Sequence, residues 1–146
     1  MSNASQKYVP ELIPYYLIKN VWDPWFIDVE PTIPEGGAKL FFSRILRDED
    51  NGIDSDTMCR RAVKEVASKG LSDVPALLGP DGKGLKTIPV ELQEQGTYIV
   101  LPGTVFYFSN KDQYIPCLYW DGEQWRLDFR LLDRVWIGNG YFVSCE

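Results

Sequence analysis

From Thr97 onward short apolar runs alternate with turn residues, a pattern that predicts strands and no helix. The candidate strands are 97–101, 105–108, 114–120, 123–129, 134–138 and 141–145. They are linked at Pro102-Gly103, Asp121-Gly122 and Asn139-Gly140, and the last two dipeptides suit two-residue hairpin turns. A two-residue turn at Asp121-Gly122 would set Trp120 opposite Glu123 and Leu118 opposite Trp125. One face would then carry Pro116, Leu118, Trp120, Trp125, Leu127 and Phe129, which reads as the core face. The other would carry Cys117, Tyr119, Gln124, Arg126 and Asp128. A turn at Asn139-Gly140 would pair Ile137 with Phe142 and Trp136 with Val143, leaving both faces of that hairpin apolar. Such a hairpin is either sandwiched inside the fold or exposes a sticky side.

The one strong helical pattern lies within residues 54–70. Met58, Cys59, Ala62, Val63, Val66 and Ala67 share one face, and Arg60, Arg61, Lys64, Glu65 and Ser68 the other. Asp54 or Ser55 can cap its start, and Gly70 is placed to end it in a left-handed conformation. The helix is expected over about Ser55 to Lys69. Upstream, Lys39 to Leu46 reads as a strand that ends at the acidic loop Asp48 to Gly52. Residues 71–95 read as irregular, with Pro89 to Leu92 a short strand or helical turn. Residues 8–37 mix five prolines with aromatics, which forbids a long helix and a solvated tail alike. They predict an extended arm packed on the body, with strands near 15–21 and 25–29 and a turn at 34–37.

Together these elements predict a single α+β domain over residues 1–146. Its centre is a C-terminal antiparallel β-meander or small partly open barrel, over 97–146. One amphipathic helix and the extended proline and aromatic N-terminal arm complete it. Ser2-Asn3-Ala4 resembles an expression-tag remnant and is left out of this reading. A chain of 146 residues can close a core without a metal or disulfide.

Charge narrows the partners. The net charge is -6, and residues 48–96 alone carry ten acidic against six basic side chains. Such a surface repels phosphate backbones, so no nucleic-acid partner is expected; a basic protein suits it better. Three scattered cysteines make neither a disulfide framework nor a zinc site. They are expected to be buried, inert thiols. No apolar run reaches the about 18–20 residues of a membrane span, and residues 1–10 lack the pattern of a signal peptide. The expected compartment is the cytoplasm, with no membrane partner.

Chemistry-bearing motifs are few. Histidine is absent, which removes the usual serine and cysteine nucleophile systems. Gly79 to Thr87 comes near a phosphate-binding loop, but Leu85 separates Gly84 from Lys86, and Pro89 forbids the helix such a loop needs. A surface turn is expected there. The acids around Gly52 lack calcium-loop spacing, so capping and solvation explain them better. Asp23, Asp28 and Asp128 lie among aromatics, where structural hydrogen bonding is the simpler role. No cofactor is expected.

The remaining signals are the acidic stretch and the aromatics. They predict a non-catalytic protein-binding module, of the kind in which an acidic inhibitor or immunity-type protein neutralises a basic partner. The candidate contact residues are Asp48, Glu49, Asp50, Asp54, Asp56, Tyr119 and Trp136. The alternative is a small-ligand or carbohydrate-binding domain whose tryptophans line a groove. An enzyme running on a pair of carboxylates is the third class.

Overall fold

The computed structural model describes residues 16–19, 33, 38–67, 69–107 and 112–145. Among the described residues the chain forms one open, mixed, seven-stranded sheet with short helices on its faces, an α+β arrangement. The strands are β1 (Tyr16–Lys19), β2 (Leu40–Arg44), β3 (Tyr98–Val100), β4 (Thr104–Tyr107), β5 (Gln113–Trp120), β6 (Trp125–Leu131) and β7 (Gly140–Cys145). Their order is β1-β4-β5-β3-β7-β2, with β6 paired to the other edge of β5. Within the N-terminal arm, β1 runs parallel to β4. The strand expected near 25–29 and the turn at 34–37 lie outside the described residues.

β5 organises the sheet. Its whole length pairs with β6, from Trp120↔Trp125 to Tyr114↔Leu131. Its opposite edge is shared by β3 and β4, both antiparallel to it. Pro102-Gly103 is therefore not a hairpin turn but a jog between two strands that follow the same edge. There the Gly103 amide leaves the ladder and donates to the Lys69 carbonyl at 2.8 Å.

The expected register at Asp121-Gly122 is off by two residues. Trp125 stands opposite Trp120 and not Leu118, because the loop spans Asp121 to Gln124. Asp121 builds that longer loop by accepting from the Glu123 and Gln124 amides, both at 2.8 Å. A slip of two keeps every side chain on its face. Trp125 is buried and Arg126 exposed, as alternation requires.

Asn139-Gly140 makes no hairpin. Residues 134–138 do not form a strand; Trp136 alone makes an antiparallel bridge, to Ile53. β7 instead lies inside the sheet, parallel to β3 and antiparallel to β2. Both its faces are apolar because both are covered. Gly140 admits this packing, since a Cβ there would come within 2.4 Å of the Tyr98 ring.

Two apolar layers enclose the sheet. On face one, Tyr98, Val100, Ile115, Cys117 and Phe142 pack with Ile45, Leu132, Trp136 and the helix residues Met58, Cys59 and Ala62. On face two, Ile99, Leu101, Leu118, Trp120, Trp125 and Val143 pack with Leu71, Val74, Leu77, Ile88 and Leu92. The Cys117 face, read from the sequence as the outer one, is thus a second core.

The face-one helix, α1, covers Ser55–Lys64. The Asp54 carboxylate caps it, accepting from the Thr57 amide at 2.8 Å. It stops earlier than expected. Val66 takes φ 54, the left-handed conformation usually left to glycine, and is 68% exposed. Gly70 is extended instead, at φ -133. Face two carries a second helix that was not foreseen, α2 (Val74–Leu78), whose proline sits in the first turn where it removes no helical bond. A 3₁₀ turn, Val90–Leu92, follows near the expected position.

Candidate functional site

The loop 47–54 is shaped by its own acids. Asp50 accepts from the Arg47 amide at 2.7 Å and from the Arg61 guanidinium at 2.6 Å. Arg61 also donates to the Ile45 carbonyl at 2.9 Å, so one side chain ties helix α1 to the end of β2 and to the loop. The Arg61 hydrogen bond, helped by the Arg47 amide, holds the Asp50 carboxyl below its ordinary range. Hydrogen bonding by Thr57 does the same for Asp54. Two of the five candidate acids are thus engaged in building the loop and cap. Asp48, Glu49 and Asp56 are exposed.

The same loop touches an aliphatic pair. Val135 is 62% and Ile137 53% exposed, and both flank the bridge that pins Trp136 to Ile53. That bridge is reciprocal: Ile53 donates to the Trp136 carbonyl at 3.0 Å, and Trp136 to that of Ile53 at 2.8 Å. Gly52 lies directly beneath the pair. A Cβ on it would meet Val135 Cγ1 and Ile137 Cγ2, each at 2.9 Å. Gly52, inside the acidic loop, therefore lies against the two aliphatic side chains.

The aromatic candidates fare differently. Trp136 is 1% exposed, and its indole N–H donates to the Leu132 carbonyl at 3.2 Å. Its ring lies in the core and leaves the contact surface; the flanking Val135 and Ile137 take the exposed positions. Tyr119 is half-buried against the face-one core. Trp120 and Trp125 are buried too, packed edge to face at 5.6 Å. These three tryptophans do not line an open groove. Arg130 and Arg134 stack on the rings of Tyr98 and Trp136, at 4.5 Å and 5.3 Å from the ring centres.

Comparison with family models, curated proteins and solved structures returned no match.

The near-miss phosphate loop is a self-satisfied turn. Asp81 accepts from the Lys83 amide at 2.8 Å and the Gly84 amide at 3.1 Å, the donors a phosphate would need. Gly84, at φ +75, docks this turn on Trp125; a Cβ there would lie 2.7 Å from Trp125 Cδ1. The cysteine reading holds for two thiols. Burial pushes Cys59 up to about 11 and Cys117 up to about 12, so both stay protonated near neutrality. No three His, Cys, Asp or Glu side chains converge on a metal position among the described residues. No helix among them is long and apolar enough to cross a membrane.

Reading charge by sequence position missed a second grouping. Arg60, Arg61 and Lys64 share one side of α1 with Thr57, at spacings of three and four residues. With Arg47 from the loop they line an open pocket of about 220 Å³. The helical spacing is visible in the sequence, where it marks these side chains only as the face opposite the apolar one.

Proposed function

We propose that this chain is a non-catalytic protein-binding module whose contact surface joins the acidic loop to Val135 and Ile137. The carrying observation is the packing of this exposed aliphatic pair over Gly52, in the middle of the acidic stretch. Charge and apolar anchor do different work at an interface. Exposed carboxylates such as Asp48, Glu49 and Asp56 steer a basic partner and speed its approach, an effect that salt weakens. Exposed charge pairs are each worth at most about 1 kcal/mol, so they do not hold a complex alone. Buried aliphatic side chains beside them supply the retention. The surface needs little ordering on binding, because the Ile53–Trp136 bridge and the Asp50–Arg61 pair already fix it.

The test is an affinity capture from the source cells' lysate, followed by binding kinetics with the captured protein. It compares wild type with Val135→Ser/Ile137→Ser and with Asp48→Asn/Glu49→Gln/Asp56→Asn. The expected partner is a basic protein. The aliphatic variant should release it faster, and the acid variant should bind it more slowly with a flatter salt dependence. Unchanged kinetics in both variants, or no basic protein captured by wild type, would refute the reading.

A further inference from the structure

We infer that the pocket between the loop and helix α1 is a binding site for a small phosphate-bearing molecule, inorganic phosphate or a short phosphomonoester. Four of the chain's 15 basic residues line it, and among the described residues no carboxylate does. In a protein of net charge -6, such a cluster is not what solubility requires. Arg61 is paired with Asp50, but Arg47, Arg60 and Lys64 repel one another around the pocket, and an anion between them lowers that cost.

The cluster is also partly organised in advance. Arg61 is held by the Ile45 carbonyl and the Asp50 carboxylate, which fixes one wall and consumes its charge. Arg47, Arg60 and Lys64 are exposed, with the half-buried Thr57 among them. Arg60 reaches the Thr57 hydroxyl at 3.4 Å, a long bond that an incoming oxyanion can replace. Asp54 takes both the amide and the hydroxyl of Thr57, so the donors left for a ligand are the basic side chains. The site therefore rests on side chains, not on the helix terminus.

Three exposed cations beside the paired Arg61 suit a group carrying about -1.5 to -2 with several acceptor oxygens better than a singly charged carboxylate. Guanidinium matches phosphate oxygens in pairs, and the lysine adds a point charge. The volume sets the size. At about 220 Å³ the pocket is smaller than the usual ligand cavity and takes a phosphate with a few further atoms.

The experiment is a calorimetric and NMR titration of the purified full chain. The probes are inorganic phosphate, glycerol phosphate and acetate, each against chloride at equal ionic strength. Phosphate or glycerol phosphate should bind and shift the amides of residues 57–64, and the stronger of the two names the source. Arg60→Gln/Lys64→Gln, on the exposed side of α1, should melt like wild type without ligand and bind about tenfold more weakly. Conservative Arg60→Lys should restore part of the affinity. Acetate matching phosphate, no response beyond chloride, or an unchanged double variant would each overturn the site. None of these readouts involves a protein partner, so they fail or succeed apart from the contact-surface reading.

Discussion

Face one of the sheet is roofed by a helix whose apolar residues recur at helical spacing, whereas face two is roofed by residues 71–92, a succession of short turns. On face one the backbone satisfies itself, and a few side chains tie the helix down: Asp54 at its cap and Arg61 at its last turn. On face two particular side chains replace the missing ladder. Asp73 accepts from the amides of Ile33 and Gly70, Asp81 from those of Lys83 and Gly84, and the Thr87 hydroxyl donates to the Leu77 carbonyl. The irregular roof also leaves a mismatch. Trp136 on face one has an acceptor for its indole N–H, while the buried Trp125 indole N–H on face two has none among the described residues. A periodic cover needs few special contacts; an aperiodic one depends on each.

The largest expected effect sharpens what counts as face one. Met58→Asp places a carboxylate at a fully buried helix position, and a loss on the order of 4 kcal/mol or more is expected in urea denaturation. Lys64→Asp, exposed on the same helix, should stay within about 0.5 kcal/mol. A Met58 variant as stable as the Lys64 variant would mean the helix does not pack as described.

The tryptophans compare the two roofs directly. Both Trp→Phe changes remove similar apolar area, but Trp136→Phe also removes a hydrogen bond, leaving the Leu132 carbonyl with the Arg134 amide as its donor. It should cost about 1 kcal/mol more than Trp125→Phe. Equal losses would show that the Trp125 N–H is bonded after all, and that the two roofs are equally well satisfied.

Smaller still is the effect at the helix end. The amphipathic pattern assigns Val66 to the core and makes Val66→Asp destructive. Its exposure predicts a near-neutral change instead, and Val66→Gly should raise stability by about 1 kcal/mol by relieving the left-handed strain. A fall in melting temperature for Val66→Gly would contradict that backbone.

Acid gives the mildest probe. Asp121 is held down to about 2, first by its Arg126 partner and then by the Glu123 and Gln124 amides. Asp50 and Asp54, which tie down the face-one roof, are lowered as well. A carboxylate with a depressed folded value contributes stability above its unfolded value, near 3.8, and loses it as the pH falls. Stability should therefore decline from about pH 4 towards pH 2. Asp121→Asn should flatten the hairpin share of that slope and Asp50→Asn the share from the face-one roof. Urea melts between pH 2 and 6 check both, and parallel slopes in all three proteins would reject the assignment.

Legibility in the sequence followed the same division. The helix start, the strands β2, β5, β6 and β7 and the two-sided burial of β7 follow from patterns over neighbouring residues. The helix stop at Val66 did not, because nothing local distinguishes it from a core valine. The place of β7 between β3 and β2 rests on pairings such as Leu40↔Cys145, which no turn residue announces. A hairpin rule applied to Asn139-Gly140 misled for that reason. For the candidate surface, the acids were visible but not their division into builders and exposed groups. Its aliphatic half was read one residue off, at Trp136 instead of its neighbours. The basic pocket was hidden because Arg47 precedes the helix and belongs to the loop. Only the fold sets it around one cavity with Thr57, Arg60, Arg61 and Lys64.

The position of β7 has a consequence for how the chain comes to be folded. It is the last of the seven strands in chain order, yet it holds β2 to the rest of the sheet. A ribosome delivering the chain from its N-terminal side therefore makes β2 long before its partner exists. Until β7 emerges, Phe41 and Phe42 lack the strand that pairs with them, and the apolar edge of β3 stays open. Pairings as distant in sequence as Leu40↔Cys145 close late and slowly. The nascent protein thus passes through a long window in which two sheet edges are bare, the period when association with other chains competes with folding.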